Sequence, residues 1–155
     1  MSPDQPEKVV FDCPIYAPAL INPRGPAAAC VTHAQNRLLV LFVSDYVLNE
    51  IRELPGKLKV RLGVTPEAVE RFIHDLAKYA QPVDDVPEVY VHPWDADDSH
   101  YINLALATRS RLVVSRDKHL LGLMDANRPE ATEFMTRFPS LKIVEPTTLL
   151  RDMSR

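Results

Sequence analysis

The stretch LLVLFVSDYVLNEIREL, residues 38–54, carries the pattern on which the fold prediction rests. Its first half is a short, almost continuous apolar run, as expected for a strand that is buried on both faces. Its second half places apolar residues at helical spacing among polar ones. A buried strand followed directly by a helix is the repeating unit of α/β proteins, so this stretch predicts a parallel sheet covered by helices.

Four further apolar runs extend this pattern along the chain, and they read KVVFDC (8–13), EVYVH (88–92), RLVVS (111–115) and LKIVE (141–145). Helical patterns separate them, including two short helices around a turn after the first run. TPEAVERFIHDLAKYAQ, residues 65–81, has Thr65 as a predicted N-cap and Pro66 at its first helical position. We therefore predict one α/β domain, with a parallel sheet of about five strands and helices on both faces.

Composition restricts the class of protein further. The chain has 155 residues, of which 46% are hydrophobic and 25% charged, as is usual for a single globular domain. A net charge of −3 provides no general attraction for nucleic acid, so RNA or DNA binding would need a local basic patch or a metal ion. The sequence shows no signal peptide and no apolar run of membrane-spanning length, so we expect a cytoplasmic protein without membrane association, with Cys13 and Cys30 as reduced thiols.

Acidic residues follow the predicted strands. Asp12 ends the first run and Asp117 follows RLVVS, while Asp98 begins the helix after EVYVH and Glu50 lies on the helix after the second run. Ligands of open parallel sheets bind outside the carboxyl ends of the strands, where these four side chains can converge. A set of carboxylate oxygens without Cys or clustered His favours Mg²⁺ or Mn²⁺ over zinc.

Each acidic residue also has a purely structural interpretation. Asp97, Asp98 and Asp117 stand where N-caps stand, and Asp is a preferred capping residue. Glu50 alone could be a solvated helical acid. We retain the functional interpretation because capping alone does not explain why all four residues lie at one edge of the predicted sheet.

The histidines and aromatic residues around the acidic loop suggest other sites. His92 and His100 flank it in HPWDADDSH, but the sequence completes neither a tetrahedral zinc set nor a calcium loop. Trp94 and Tyr101 could stack on a base or could pack in the core or the loop.

Four motifs in a fixed order resemble the PIN domain, a nuclease fold found in toxins of VapC-type toxin-antitoxin pairs. They are VVFDCPIY, VSDYVLNEI, DADDSHYINLALA and LVVSRDKHLL. The motif INPRGP after the first strand resembles that of one subgroup of the family. The resemblance covers nearly the whole chain. It places a PIN-like domain at residues 8–150, between an N-terminal tail at 1–7 and a C-terminal tail at 151–155.

The resemblance implies roles for individual residues. It makes Asp12, Glu50, Asp98 and Asp117 catalytic, with the three aspartates as Mg²⁺ or Mn²⁺ ligands. Ser115 supplies a hydroxyl beside the last of them, and the auxiliary acidic residues are Asp95 and Asp97.

At the level of the whole protein, the resemblance implies a metal-dependent endoribonuclease, the toxin of a type II toxin-antitoxin pair, with RNA as substrate, an antitoxin as partner and a homodimer as assembly. Pro14 stands where the family usually has Asn. The alternative is therefore a catalytically weakened PIN-like module that binds RNA or protein.

A basic segment offers contacts for RNA phosphates. RELPGKLKVRLG, residues 52–63, carries four cationic side chains against one acidic one. Together with two arginines near the predicted site, the candidate phosphate contacts are Arg24, Arg52, Lys57, Lys59, Arg61 and Arg116. The alternative for this segment is an ordinary solvated surface.

Overall fold

A computed structural model describes residues 5–58 and 64–154. Its five strands are β1 (Glu7–Phe11), β2 (Leu39–Ser44), β3 (Gln81–Val83), β4 (Leu112–Val114) and β5 (Lys142–Val144). Every strand pair is parallel, and the order across the sheet is β3-β2-β1-β4-β5. The predicted fold class, one α/β domain with a five-stranded parallel sheet, is confirmed.

Helices connect the strands and cover the sheet on both faces. They are α1 (Cys13–Ile21), α2 (Pro26–Gln35), α3 (Asp45–Arg52), α4 (Leu54–Leu58), α5 (Pro66–Leu76), α6 (Ser99–Thr108), α7 (Lys118–Leu121), α8 (Pro129–Arg137) and α9 (Pro146–Met153). Short 3₁₀ turns lie at Ala96–Asp98 and Gly122–Met124. Helix α6 packs against β1, β2 and β4, whereas α2 packs against β2, α1 and α9. No helix in the described part of the chain is long and apolar enough to cross a membrane.

The central strand β1 lies in the middle of the core. Val9, Val10 and Phe11 are fully buried, because helices cover both faces of the sheet at this position. The register pairs Phe11 with Val114 of β4, and the N–H of Asp12 still donates to the carbonyl of Val114 at 3.2 Å. The ladder therefore fixes the chain direction at the point where the first acidic residue leaves the sheet.

The prediction of a strand at EVYVH is wrong, because the third strand of the sheet is Gln81–Val83. The backbone N–H and carbonyl groups of this extended segment form hydrogen bonds with side chains and not with a neighbouring strand. Asn103 accepts from the N–H groups of Val89 and Tyr90 and donates to the carbonyl of Tyr90, while Ser99 accepts from the N–H of His92. The apolar run therefore forms an extended segment beside α6 that is not part of the sheet.

The predicted start of α5 is confirmed, but its end is not. The hydroxyl of Thr65 accepts from the N–H of Ala68 at 3.1 Å, and Pro66 follows as the first helical residue. The helix ends at Leu76, earlier than the sequence pattern suggested, and the chain enters β3 at Gln81. At the other end of the chain, α9 continues through residue 150, where the domain boundary was predicted.

Candidate metal centre

Asp12 leaves β1 at the carboxyl edge of the sheet and is only 1% exposed. The hydroxyl of Ser115, which follows β4, donates to Oδ2 of Asp12. Burial raises the pKa of Asp12 well above its ordinary value, and the charges of Asp117 and Asp98 raise it further, whereas the hydrogen bond from Ser115 opposes this shift. A carboxylate held here requires a cation or a proton to balance its charge.

Asp98 is the N-terminal flanking residue of α6, yet its side chain makes no capping hydrogen bond. The capping interpretation of Asp98 is therefore wrong, and Asp95 instead caps the preceding turn by accepting from the N–H of Asp97. The side chain of Asp98 is 14% exposed. Burial, followed by the charges of Asp117 and Asp95, raises its pKa to about 7.

Asp117 does cap a helix, since its Oδ1 accepts from the N–H of His119 at 2.7 Å. The N–H of Asp117 in turn donates to the hydroxyl of Ser115 at 2.9 Å. Ser115 therefore connects Asp12 to Asp117, because its hydroxyl donates to the side chain of Asp12 and accepts from the backbone N–H of Asp117. Asp117 therefore caps a helix and also belongs to the acidic centre, the group formed at this sheet edge by Asp12, Asp98 and Asp117.

His119 lies among the carboxylates of this edge. Its Nδ1 is 3.6 Å from Oδ2 of Asp95, 3.9 Å from Oδ2 of Asp98 and 3.9 Å from Oδ1 of Asp117. Ligating atoms of Asp95, Asp98 and His119 all lie within 4.8 Å of one another, a spacing at which they could share one ion. The sequence offered a signal for His119, its position two residues after Asp117, but the prediction did not include it.

Glu50 reaches the centre from α3 and is held by Tyr101 of α6. The phenol of Tyr101 donates to Oε1 of Glu50 and accepts from the N–H of Cys13 at 3.2 Å. Burial raises the pKa of Glu50, while the bond from Tyr101 and the charge of Lys57 oppose the shift. Burial and the bond to Glu50 both raise the pKa of Tyr101, so the phenol keeps its proton and acts as donor.

His92 fixes the acidic loop without joining the cluster. Its Nδ1 accepts from the N–H groups of Trp94 and Asp95, both at 3.1 Å, and its Nε2 lies 2.9 Å from the carbonyl of His119. A carbonyl can only accept and an N–H can only donate, so the ring is neutral with its proton on Nε2. One buried imidazole therefore connects the loop carrying Asp95 to the turn carrying His119.

The residues present fit a divalent cation. Oδ1 of Asp12 and Oδ2 of Asp98 are buried and accept no hydrogen bond from the described residues. A buried carboxylate oxygen normally has a partner, so two orphaned oxygens at one sheet edge indicate an absent positive group. The surrounding donors are mainly carboxylate oxygens, the ligand type that Mg²⁺ and Mn²⁺ prefer.

Comparison with known proteins agrees with this geometry. A model of the PIN domain matches residues 8–119, which is most of the chain. The chain belongs to the PIN domain family. It is also similar to the uncharacterized protein MJ1680 of Methanocaldococcus jannaschii, with 28% identity over 130 residues that cover 78% of this chain and 77% of the relative. PIN domains are typically metal-dependent nucleases, so membership supports nuclease activity and RNA binding.

Within this PIN domain the remaining predicted site residues lie outside the cluster. Asp97 is exposed, and its carbonyl accepts from the phenol of Tyr46 at 3.2 Å. The Nε2 of His100 contacts Ser44 at 2.6 Å, and this histidine is not part of the group formed by Asp95, Asp98 and His119. Burial, the charge of Glu50 and that of Asp12 raise the pKa of Cys13 to about 12, which makes its thiol a poor nucleophile.

The residues predicted to contact phosphate fall into three groups: two form surface ion pairs, two are exposed, and two are not described by the structure. Arg52 pairs with Glu70 at 3.2 Å, and Lys57 pairs with Glu53 at 3.4 Å. Arg24 and Arg116 are exposed, the latter between Ser115 and Asp117. Lys59 and Arg61 lie outside the described residues. Surface ion pairs are weak, so Arg52 and Lys57 can exchange these partners for a phosphate.

Proposed function

We propose that this PIN domain is a Mg²⁺- or Mn²⁺-dependent endoribonuclease that hydrolyses phosphodiester bonds of single-stranded RNA. The observation that carries the proposal is the pair of buried, unpartnered carboxylate oxygens on Asp12 and Asp98. They come from residues far apart in sequence and lie at the sheet edge where ligands of this fold class bind. Neither oxygen accepts a helix-capping hydrogen bond, and Oδ2 of Asp98 lies 3.9 Å from Nδ1 of His119, too far for a hydrogen bond.

Asp12, Asp98 and Asp117 would hold the ion, with Asp95 and His119 beside Asp98 as additional donors. A bound divalent cation supplies an activated water and shields charge on the phosphate oxygens. Ser115 orients Asp12 by its hydrogen bond and orients Asp117 through the backbone N–H. Two of the ligand residues are therefore placed by one buried hydroxyl.

Glu50 would orient the attacking water and accept its proton. Partial burial moves the pKa of Glu50 toward neutrality, which suits a general base, and Tyr101 fixes the carboxylate in place. Arg116, next to the ligand Asp117, and the segment from Arg52 to Arg61 would contact phosphates of the substrate strand.

We further propose that the protein is the toxin of a type II toxin-antitoxin pair, acts in the cytoplasm as a homodimer and is inhibited by a small antitoxin protein. This finer proposal rests on the order of the four acidic motifs and on INPRGP after the first strand. A short neighbouring gene for a DNA-binding protein, whose product binds this chain and inhibits it, is the supporting result. Full activity after mixing with that product would contradict it.

Incubation of the purified protein with mixed-sequence RNA tests the nuclease proposal. Wild type should cleave with Mg²⁺ or Mn²⁺ and stop when a chelator is added. Glu50→Gln should reduce the rate by at least about 100-fold, the usual contribution of a general base, and Asp12→Asn, Asp98→Asn and Asp117→Asn should reduce it severely. The matched control is Asp125→Asn, which alters a turn-capping aspartate outside the centre.

The alternative function, a catalytically weakened binding module, makes a different prediction for the same assay. Pro14 lies exposed in the first turn of α1 and offers no amide group near Asp12. If wild type binds RNA but shows no metal-dependent cleavage, the nuclease proposal fails and the binding module stands. If residual cleavage is equal in wild type and all variants, it comes from contamination.

A further inference from the structure

A cleft of about 350 Å³ opens at the carboxyl ends of β2 and β3. The lining includes Ser44, Tyr46 and His100 on one side and Asp84, Asp85 and Val86 on the other. Its acidic side chains are those of Asp84, Asp85 and Asp45, and no lysine or arginine of the described chain contributes to the lining. The cleft therefore presents aromatic surface together with hydrogen-bond acceptors.

The aromatic part of the cleft is fixed in place. The rings of Tyr46 and His100 stack with centroids 4.2 Å apart at an interplanar angle of 26°. The hydroxyl of Ser44 lies 2.6 Å from Nε2 of His100 and holds this ring. The phenol of Tyr46 donates to the carbonyl of Asp97 at 3.2 Å. Tyr46 nevertheless remains 38% exposed. A rigid, exposed ring is a stacking surface for a flat ligand.

The acceptors determine which flat ligand fits. A carboxylate repels phosphate but accepts hydrogen bonds from a base edge. Guanine offers two adjacent donors on its Watson–Crick edge, the ring N–H and the exocyclic amino group, and so matches the two oxygens of a carboxylate. Adenine and cytosine place a ring acceptor next to their amino group, and uracil places carbonyls on both sides of its single N–H, so each would bring an acceptor against the carboxylate.

We propose that this cleft is a guanine subsite for the RNA substrate, a proposal that rests on the nuclease function proposed above. The base stacks on Tyr46 and donates to the carboxylate of Asp84 or Asp85. The link from Tyr46 to Asp97, in the acidic loop, places the subsite beside the metal centre, and the rings of Tyr46 and Tyr101 are 6.4 Å apart. A guanine bound here would present a neighbouring phosphodiester of the same strand to the centre.

Nucleoside binding tests the subsite without requiring catalysis. Guanosine, adenosine, cytidine and uridine carry no phosphate, so each can be titrated by NMR into the metal-free protein with chelator present. Guanosine should bind about tenfold more tightly than the other three, the lower range for a bidentate base contact. Tyr46→Ala should weaken guanosine binding about tenfold through lost stacking, whereas Tyr46→Phe should retain most of it.

A conservative variant tests the acceptors. Asp85 has a φ of 51°, in the left-handed region that Asn also adopts, so Asp85→Asn keeps the turn while replacing one carboxylate oxygen by an amide donor. Asp84→Asn makes the same change next to it. At least one of the two should reduce the preference for guanosine over adenosine about tenfold. Asp152→Asn, an exposed carboxylate on α9, is the matched control and should leave the preference unchanged.

Equal binding of the four nucleosides, or no binding at all, would overturn the guanine subsite. Tighter binding of arginine amide than of guanosine would also overturn it and would assign the cleft to a cationic protein side chain. Failure of the nuclease proposal is distinguishable, because RNA would then remain intact while guanosine still bound selectively. Cleavage without any preference for sites next to guanine, together with unselective nucleoside binding, would remove the subsite alone.

Discussion

The phenol of Tyr101 donates a hydrogen bond to the carboxylate of Glu50, joining α6 to α3 at the edge of the metal centre. The same oxygen accepts the N–H of Cys13 at 3.2 Å, directly after Asp12. One buried hydroxyl therefore positions the proposed general base relative to the chain that carries Asp12, the first proposed metal ligand. The sequence alone suggests only stacking or packing for Tyr101.

Tyr101→Phe should therefore affect stability and the pH profile together. The change leaves the Cys13 N–H and a Glu50 oxygen without their partner, so the free energy of unfolding should fall by about 1–3 kcal/mol. The hydrogen bond lowers the pKa of Glu50, so its loss should move the acidic limb of the cleavage profile to higher pH. Urea unfolding and RNA cleavage between pH 5 and pH 8 measure the two effects.

Tyr90→Phe is the control for this variant, because Tyr90 is also buried but its hydroxyl makes no hydrogen bond among the described residues. Tyr90→Phe should lose little stability, and an unchanged acidic limb in Tyr101→Phe, with no greater loss of stability than in this control, would show that Tyr101 only fills space.

The metal-free protein should lose stability as the pH rises. Asp98 has an ordinary pKa of 3.8, raised to about 7 in the folded protein, so the folded state holds a proton that the unfolded state has released. This contribution is fully present below about pH 4 and is lost as the pH rises through about 7. In chelator, the free energy of unfolding should fall by about 2–3 kcal/mol between pH 5 and pH 8.

Asp98→Asn should flatten that dependence, since it removes the titrating group without removing a capping hydrogen bond. Asp152→Asn should retain the wild-type slope. A slope in Asp98→Asn as steep as in wild type would assign the pH dependence to other groups, such as Asp12.

Mn²⁺ should stabilise the native state by mass action. The gain is about 2.7 kcal/mol when the free ion is a hundred times its dissociation constant. Asp117→Asn keeps an oxygen able to cap His119, so it should fold normally but show a smaller rise in thermal midpoint with Mn²⁺. Asp125→Asn changes an equivalent capping residue away from the centre and should respond as wild type does. A full response in Asp117→Asn would remove that residue from the ligand set.

His92 should influence metal affinity although it does not contact the ion. His92→Asn preserves an acceptor for the N–H groups of Trp94 and Asp95 but loses the donor to the His119 carbonyl. Partners of this kind typically affect metal affinity 10–100-fold, so Mn²⁺ binding should weaken by about tenfold in a calorimetric titration. The exposed His74, changed to Asn, should show no effect. Equal affinities would limit His92 to a role in folding.

The basic segment should contribute phosphate contacts and little else. Neutralising Lys57, Lys59 and Arg61 together should weaken RNA binding and reduce its salt dependence, while Mn²⁺ affinity stays constant. Binding measured across a range of salt concentrations tests this. A salt slope identical to that of wild type would identify the segment as ordinary solvated surface.

The fold was largely predictable because four of its strands lie in apolar runs of the sequence, and three of them, β1, β2 and β4, are mostly buried. The third strand was missed because Gln81–Val83 is a short edge strand with exposed residues and a proline, which an edge tolerates. EVYVH has strand composition, but Asn103 and Ser99, which follow it in sequence, satisfy its backbone instead. Side-chain partners of this kind leave no signal in hydrophobic periodicity.

At the centre, acidic residues that follow strands could be predicted, because parallel strands bring their carboxyl ends to one edge. The residues that position them could not. His92 and Tyr101 act through hydrogen bonds to backbone or carboxylate groups distant in sequence, and His119 enters the cluster through the turn that Asp117 caps. Such contacts depend on tertiary structure and not on local spacing.

The chemical nature of the RNA ends tests the central claim most directly. Hydrolysis by a water molecule at a divalent metal centre produces no cyclic phosphate, whereas metal-independent ribonucleases use the neighbouring ribose hydroxyl and leave a cyclic phosphate end. Mass spectrometry of fragments made by wild type with Mn²⁺ should show linear ends only, and the fragments should disappear in chelator and in Asp98→Asn. Cyclic ends, or fragments that persist in both conditions, would contradict a metal-dependent nuclease built on Asp12, Asp98 and Asp117.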